Sequence, residues 1–278
     1  ITVFYLLLVH GLMGLRPEHP LLIVLILGCY YLHPKGRRFV LDFLPFVIFG
    51  ALYDFLRIYP KSWAGSIQVA WPHQLEMALF GFFLNGQKIL PSDFFRLYHH
   101  PLSDFVSGVA YSLHMVVPLG FALFTWLKKD KGLARQFIQA FLLANLFAFV
   151  TYIALPGAPP WYVERHGLQP ADWSTPSYAA GLLHFDRLIG MPYFEEVYAK
   201  NAWVFGAIPS MHGGFPVLLI LFAHKILRRG VIPFYGFMLL VWISAVYLRH
   251  HYVIDLIAGA LYVMAAFFLV RWKGSSRK

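Results

Sequence analysis

Residues 248–255 read Leu-Arg-His-His-Tyr-Val-Ile-Asp, and the run behind them, Leu256 to Val270, carries no charged side chain. Ionisable groups at the head of so apolar a run are expensive in a bilayer and point to function. A second group, Pro209-Ser210-Met211-His212, heads an earlier apolar run. Packing alone does not call for a His-His-x-x-x-Asp group and a Ser-x-His group at such boundaries. They read as two halves of one site carried on the ends of membrane helices.

Composition agrees. Of 278 residues, 59% are hydrophobic and 13% charged, against about 25% charged in soluble domains. The mean hydropathy is +0.61. This is an integral membrane protein. The single cysteine, Cys29, lies in an apolar run, which excludes a disulfide framework or a cysteine metal motif. A net charge of +10 does not imply a nucleic-acid partner here, because membrane proteins collect Lys and Arg on cytoplasmic loops.

Apolar runs fall near 1–15, 20–33, 39–57, 104–128, 133–155, 210–228, 231–249 and 251–272. The last six approach or exceed the ~20 residues needed to span. Ile1 to Leu15 lacks a charged leader and a cleavage site, so it reads as a retained helix. Leu75 to Leu84 reads as an interfacial helix, and residues 156–208, rich in Pro, Gly, Trp and Tyr, as a folded loop at headgroup level. If the runs alternate, one side holds the links near 35, 130 and 229 and the C-terminal tail. It gathers 14 of the 23 Lys and Arg with two carboxylates, a net of +12; the other side nets −2. The positive-inside rule makes the first side cytoplasmic. Both histidine groups then face away from the cytoplasm and are free to meet.

On a helix, His251 and Asp255 are four residues apart and share a face. A carboxylate behind an imidazole fixes its tautomer and stabilises the charge it gains. His212, from another helix, supplies a second acid/base. Such a set suits transfer through a covalent phosphohistidine, one ring attacking phosphorus while the other moves protons. That chemistry needs no metal or other cofactor, and room for a phosphorus between the rings is expected. His10, His19, His73, His99, His114 and His224 read as hydrogen-bonded structural residues. A metal held by His250, His251 and Asp255 is the competing reading, but adjacent side chains diverge by ~100° on a helix.

Pro209-Ser210-Met211-His212 resembles the Pro-Ser-x-His motif of the type 2 phosphatidic acid phosphatase (PAP2) superfamily. Ser244-Ala245, followed by His251 and Asp255, resembles its Ser-Arg-x5-His-x3-Asp motif. The resemblance implies an all-α polytopic membrane bundle with a six-helix core over about 39–272. Residues 1–38 would form N-terminal membrane helices and 39–278 the catalytic membrane domain. It also implies His251 as nucleophile, Asp255 as its orienter and His212 as acid/base. The superfamily's Lys-x6-Arg-Pro motif has no counterpart, and Ala245 replaces the Arg of the third motif. Those cations suit dianionic monoesters, so their absence fits a phosphodiester. The runs Ala158-Pro-Pro-Trp-Tyr162, Pro209 to Gly214 and Tyr247 to Asp255 resemble the inositol phosphorylceramide synthase branch, related to the sphingomyelin synthases.

Further candidate substrate-binding residues are Trp161 and Tyr162, as headgroup-pocket walls or interface anchors; Arg249, beside a phosphate oxygen or snorkelling; and His250. Asp54 and Arg57 would bind a polyol or pair with each other. Ser210 caps the helix beginning beside it, whose N-terminus offers a phosphate site. Glycines 213 and 214 allow close approach of lipid or backbone. The resemblance implies transfer of inositol phosphate from phosphatidylinositol to ceramide, on the non-cytoplasmic face (periplasm in a bacterium, Golgi lumen in a eukaryote). A lipid phosphate or polyprenyl diphosphate phosphatase, a phosphocholine or phosphoethanolamine ceramide transferase, and a His/Asp proton-relay transporter are the alternatives.

Overall fold

The structure, a computed structural model, describes residues 10–11, 14 and 18–275; the first apolar run falls almost wholly outside them. The chain divides into two compact units, up to Pro60 and from Lys61 onward.

In the first unit, α1 (Glu18–Leu32) and α2 (Pro34–Phe55) form a helical pair. His33 caps α2, its ring accepting from the Lys35 N–H, and Pro34 takes the first helical position, where its missing N–H costs nothing. Asp54 accepts from Arg57 Nε at 2.9 Å and lies 3.2 Å from His19 Nε2. The two polyol candidates of this unit thus pair with each other.

The second unit begins with α3 (Ala70–Phe80), a hairpin of β1 (Phe82–Leu84) and β2 (Gln87–Ile89), and α4 (Pro91–Leu97). The helix expected over Leu75 to Leu84 is therefore present from Ala70 but stops at Phe80. Asn85 and Gly86 both have positive φ, +49° and +81°, the turn an Asn-Gly pair makes between antiparallel strands. Two long helices follow, α5 (Pro101–Lys128) and α6 (Lys131–Ala154), joined by a short turn in which Asp130 caps α6 through the Gly132 and Leu133 N–H groups. The loop at 155–209 carries three short helices, α7 (Pro160–His166), α8 (Leu182–Ile189) and α9 (Tyr193–Ala199). The last three helices are α10 (Met211–Ala223), α11 (Ile232–Tyr247) and α12 (Val253–Ser275).

Among the described residues, four helical segments are long and apolar enough to cross a membrane: 101–128, 131–154, 228–247 and 253–272. The run at 210–228 is expected to span, yet α10 has only 13 residues. At 1.5 Å per residue it covers about 20 Å, two-thirds of a ~30 Å hydrocarbon core. Lys225, Arg228 and Arg229 follow its C-terminal end. Were those cations placed in the headgroups, its other end, at His212, would lie below the opposite surface. Fold class is as the sequence leads one to expect, an all-α polytopic membrane bundle.

Helices α10 and α12 pack backbone to backbone. A Cβ on Gly213 would sit 2.8 Å from the Leu256 Cα, one on Gly214 2.9 Å from the Gly259 carbonyl, and one on Gly259 would collide with the Ser210 carbonyl. Glycines 213 and 214 therefore serve helix packing, and that contact brings the two histidine groups together.

Candidate active site

The turn between α11 and α12 is built by Arg249. Its φ of +62° puts a non-glycine residue in the left-handed region, at a cost of roughly 1–2 kcal/mol. The reversal lets the N–H groups of both His250 and His251 reach the Ala245 carbonyl, at 3.1 and 3.2 Å. Two contacts hold it: Arg249 Nε lies 2.9 Å from Glu164 Oε2, and the Arg249 carbonyl accepts from Trp161 N–H at 3.1 Å. Arg249 is thus ion-paired with a carboxylate, without hydrogen-bond geometry at Nε.

Beyond the turn, the first free N–H groups of α12 meet acceptors. Asp255 Oδ2 takes the Tyr252 N–H at 2.9 Å, and Glu76, from α3, takes those of Val253 and Ile254 at 3.0 and 3.1 Å. Glu76 is 1% exposed, and burial raises its pKa. On α10, the Ser210 hydroxyl accepts from Gly213 N–H at 3.3 Å, and its own N–H donates to the Asp255 carbonyl at 2.8 Å. Ser210 is fully buried and acts here as cap and helix-to-helix tie.

These ties set His212 against His251, with His251 Nε2 3.1 Å from His212 Nδ1. His251 Nδ1 stands 3.0 Å from the Ala207 carbonyl. A carbonyl only accepts, so the neutral ring assigned from these partners carries its proton on Nδ1 and keeps a lone pair on Nε2. His212 Nδ1 then donates to that lone pair. Two expectations change. Asp255 Oδ2 is 3.6 Å from His251 Nδ1, beyond a hydrogen bond, because it is committed to the Tyr252 N–H. The Ala207 carbonyl fixes the tautomer, and Asp255 contributes negative charge. The gap expected for phosphorus is closed: the two rings touch, and a phosphate must displace His212 to reach His251.

His250 points elsewhere. Its Nε2 donates to the Ala179 carbonyl at 3.0 Å, between the stacked rings of Tyr198 and Tyr111. Burial, with the neighbouring His251, pushes its pKa down to about 3. The structure makes it a neutral strut. Trp161 and Tyr162 are buried, 3% and 4% exposed, in a cluster with Phe205, Ala158 and Val69, as packing for the loop under Arg249.

Sequence reasoning passed over part of the site. Tyr111 stacks on His212 with centroids 4.2 Å apart and its hydroxyl 3.4 Å from Nδ1. His114 lies on the same ring at 4.0 Å and is tied to the Tyr111 carbonyl at 2.7 Å. The signal was available, since Asp104, Ser107, Tyr111 and His114 recur at spacings of three and four along α5. Glu76 had no such signal.

Among the described residues, His99, Asp104 and His184 also converge, with candidate ligand atoms within 4.8 Å of one another. Asp104 is taken by His99 Nδ1 at 3.1 Å and the Tyr247 hydroxyl at 2.7 Å. The Arg187 guanidinium stands 2.6 Å from His184 Nδ1, and that charge opposes a metal cation. The trio fits a hydrogen-bonded tie between α5, α8 and α11.

No solved structure matches the chain. It is 36% identical over 261 residues to the phosphoinositol dihydroceramide synthase of Bacteroides thetaiotaomicron, covering 93% of this chain and 85% of that protein. It is 30% identical over 252 residues to the inositol phosphorylceramide synthase of Candida albicans, covering 90% of this chain and 52% of that protein. The inositol phosphorylceramide synthase catalytic subunit of Schizosaccharomyces pombe is 28% identical over 235 residues, 84% of this chain and 54% of that one. The chain thus spans about half the length of these fungal relatives. The profile of the PAP2 superfamily matches residues 90–269, a span that holds His212, His251 and Asp255 together with the helices that bring them into contact; this chain belongs to the PAP2 superfamily.

Proposed function

We propose that the chain is a sphingolipid headgroup synthase that transfers inositol phosphate from phosphatidylinositol to ceramide. The observation that carries the mechanism is the contact of His251 and His212, with the Nδ1 proton of His251 held by the Ala207 carbonyl. The Nε2 lone pair is left as a nucleophile. The names of the relatives supply the headgroup and the acceptor class.

In the first step, Nε2 of His251 forms a bond to phosphorus as the bond to the diacylglycerol oxygen breaks, and His212, protonated on both ring nitrogens beside the phosphodiester anion, hands that oxygen a proton and is left neutral. In the second, His212 takes the proton of ceramide's primary hydroxyl, whose oxygen displaces His251 from phosphorus. Asp255, fully buried, stabilises the positive ring formed between the steps. Each step leaves charge and protons balanced. A His212 below the membrane surface would let two lipids reach the site from the side while limiting water, the competing acceptor. The site faces away from the cytoplasm, by the charge asymmetry of the loops. The catalytic domain runs from residue 39, with the dyad supported from Lys61 onward.

The test uses purified protein and inositol-labelled phosphatidylinositol. With ceramide, labelled ceramide phosphoinositol forms. Without it, label accumulates on the protein in an acid-labile linkage, and His251→Ala abolishes both. Label that appears only as soluble inositol phosphate would make the enzyme a hydrolase. A wild-type protein that transfers phosphocholine instead would overturn the headgroup.

A further inference from the structure

In the first step of transfer His212 gives up a proton and in the second it regains one, both at the nitrogen that faces the lipid oxygen. Its other nitrogen must hold a proton throughout. For His251 the Ala207 carbonyl fixes that choice. For His212 the resting partner of Nδ1 is Nε2 of His251, 3.1 Å away, the same atom that attacks phosphorus. A phosphorus bonded there leaves no lone pair to accept with. Nδ1 of His212 therefore needs a second acceptor while the chemistry runs.

The Tyr111 hydroxyl is placed for that task. It stands 3.4 Å from His212 Nδ1, a few tenths of an ångström beyond a made N–H···O bond. Tyr111, on α5, is 3% exposed and firmly seated. Its ring lies flat on that of His212, with 4.2 Å between centroids and 12° between planes, and along that of His250 at 5.4 Å. The Tyr198 hydroxyl, from α9, donates to its oxygen at 3.4 Å, and a hydroxyl oxygen carries two lone pairs. The π-face that covers His212 attracts an imidazolium more than a neutral ring, and the imidazolium is the form the first step needs. His114, the other ring against His212 at 4.0 Å, spends its Nδ1 on the Tyr111 carbonyl at 2.7 Å and steadies the same turn of α5.

We infer that Tyr111 is a positioning residue for the acid/base: when a phosphate displaces His212 from His251, the Tyr111 hydroxyl accepts the Nδ1–H of His212 and leaves Nε2 to serve the lipid oxygens. Tyr111 keeps its own proton in both steps; only Nε2 of His212 gives one and takes one. The handover also sets an order. With no lipid bound, His212 covers the nucleophile, and the working pair of His212 and Tyr111 forms once the phosphate is in place. The inference rests on phosphotransfer by His251 and His212, whichever headgroup is moved.

The experiment is steady-state headgroup transfer to ceramide by the full chain in mixed micelles. Phosphatidylinositol, phosphatidylcholine and phosphatidylethanolamine are offered in turn, and the donor that wild type uses best is carried through Tyr111→Phe, His212→Ala and the double variant. Tyr111→Phe keeps the stacked ring and removes the hydroxyl. It is expected to lower kcat about 30-fold, less than the roughly 10²–10⁴-fold of a whole acid–base group. KM for either lipid should stay within about twofold and the thermal midpoint within about 2 °C of wild type. In the His212→Ala background the same substitution should change kcat by less than about twofold, because the hydroxyl acts only through that ring. A lowered midpoint leaves this comparison decisive, since a packing defect costs the same in both backgrounds. A Tyr111→Phe enzyme with wild-type kcat, or one whose loss is equal with and without His212, overturns the assignment and leaves Tyr111 as packing. A wild type that transfers from none of the three donors overturns the phosphotransfer reading, and this inference with it.

Discussion

Asp255 is a residue whose role shifts once its partners are seen. In a serine-protease-like triad the carboxylate fixes the tautomer, and its amide variant loses about 10⁴ in turnover. Here the Ala207 carbonyl already holds the Nδ1 proton of His251, and Asp255 stands 3.6 Å away. Its amide would still accept the Tyr252 N–H and would lose only the charge. Asp255→Asn is therefore expected to lower kcat by roughly 10²-fold, less than the triad value, with an unchanged thermal midpoint. A loss of about 10⁴-fold would return the orienting role to the carboxylate. His250 makes a pH prediction. Its folded pKa, pushed down to about 3, lies below an unfolded value near 6.5. Between those values the unfolded chain takes a proton that the folded chain refuses. The stability His250 provides is thus complete above about pH 6.5 and is lost as pH falls, at roughly 1.4 kcal/mol per unit. The groups facing it are His251, Arg249 and the rings of Tyr111 and Tyr198. His250→Gln keeps a donor for the Ala179 carbonyl and cannot titrate. Its thermal midpoint should fall less steeply from about pH 7 to about pH 5 than that of wild type, and an identical slope would remove His250 as the acid-sensitive group.

At the scale of elements, the site is the product of one helix contact. Helices α10 and α12 meet where a Cβ on Gly259 would collide with the Ser210 carbonyl and lie 3.2 Å from the Gly214 nitrogen. Both obstacles are backbone, so neither yields by a rotamer change. Gly259→Ala should cost about 1–3 kcal/mol as overpacking and separate His212 from His251, with transfer falling at least as far as stability. A methyl group on Gly236, in α11, would meet nothing within 4 Å; Gly236→Ala is expected to be neutral or to stabilise by about 0.5–1 kcal/mol. Equal behaviour of the two variants would mean that the contact does not set the site. The same scale shows what the residues announce. His212, His251 and Asp255 were legible because ionisable groups are costly at the head of an apolar run. The Asp104-Ser107-Tyr111-His114 stripe was legible in its spacing and was passed over for want of a motif. Glu76 was illegible: its partners, Val253 and Ile254, lie 177 and 178 residues away, and only the fold brings α3 to the start of α12. The early end of α10 was hidden for a related reason, since Ile226 and Leu227 resume the apolar run after His224 and Lys225 and hydropathy does not mark where a helix stops.

For the whole molecule, the distribution of charge carries the proposal that the dyad faces away from the cytoplasm. The segments at 61–100 and 155–209, the starts of α5, α10 and α12, and the dyad share one end of the second unit. The turns at 129–130 and 224–231 mark the other, where Lys128, Lys129, Lys131, Arg135, Lys225, Arg228 and Arg229 gather with Asp130 as the one carboxylate between 128 and 135. A juxtamembrane cation favours the cytoplasmic leaflet by about 1 kcal/mol near the anionic surface, so these seven support the proposal that this end lies in the cytoplasm. Cysteine labelling reads this directly once the exposed Cys29 is replaced by serine. In that background Ser174→Cys, on the 155–209 loop, should react with an impermeant maleimide in intact cells, and Lys129→Cys only after lysis; both positions are exposed. The reverse pattern would put the dyad on the cytoplasmic face, in contact with a different pool of donor lipid, and would overturn the sidedness while leaving the chemistry of His251 intact.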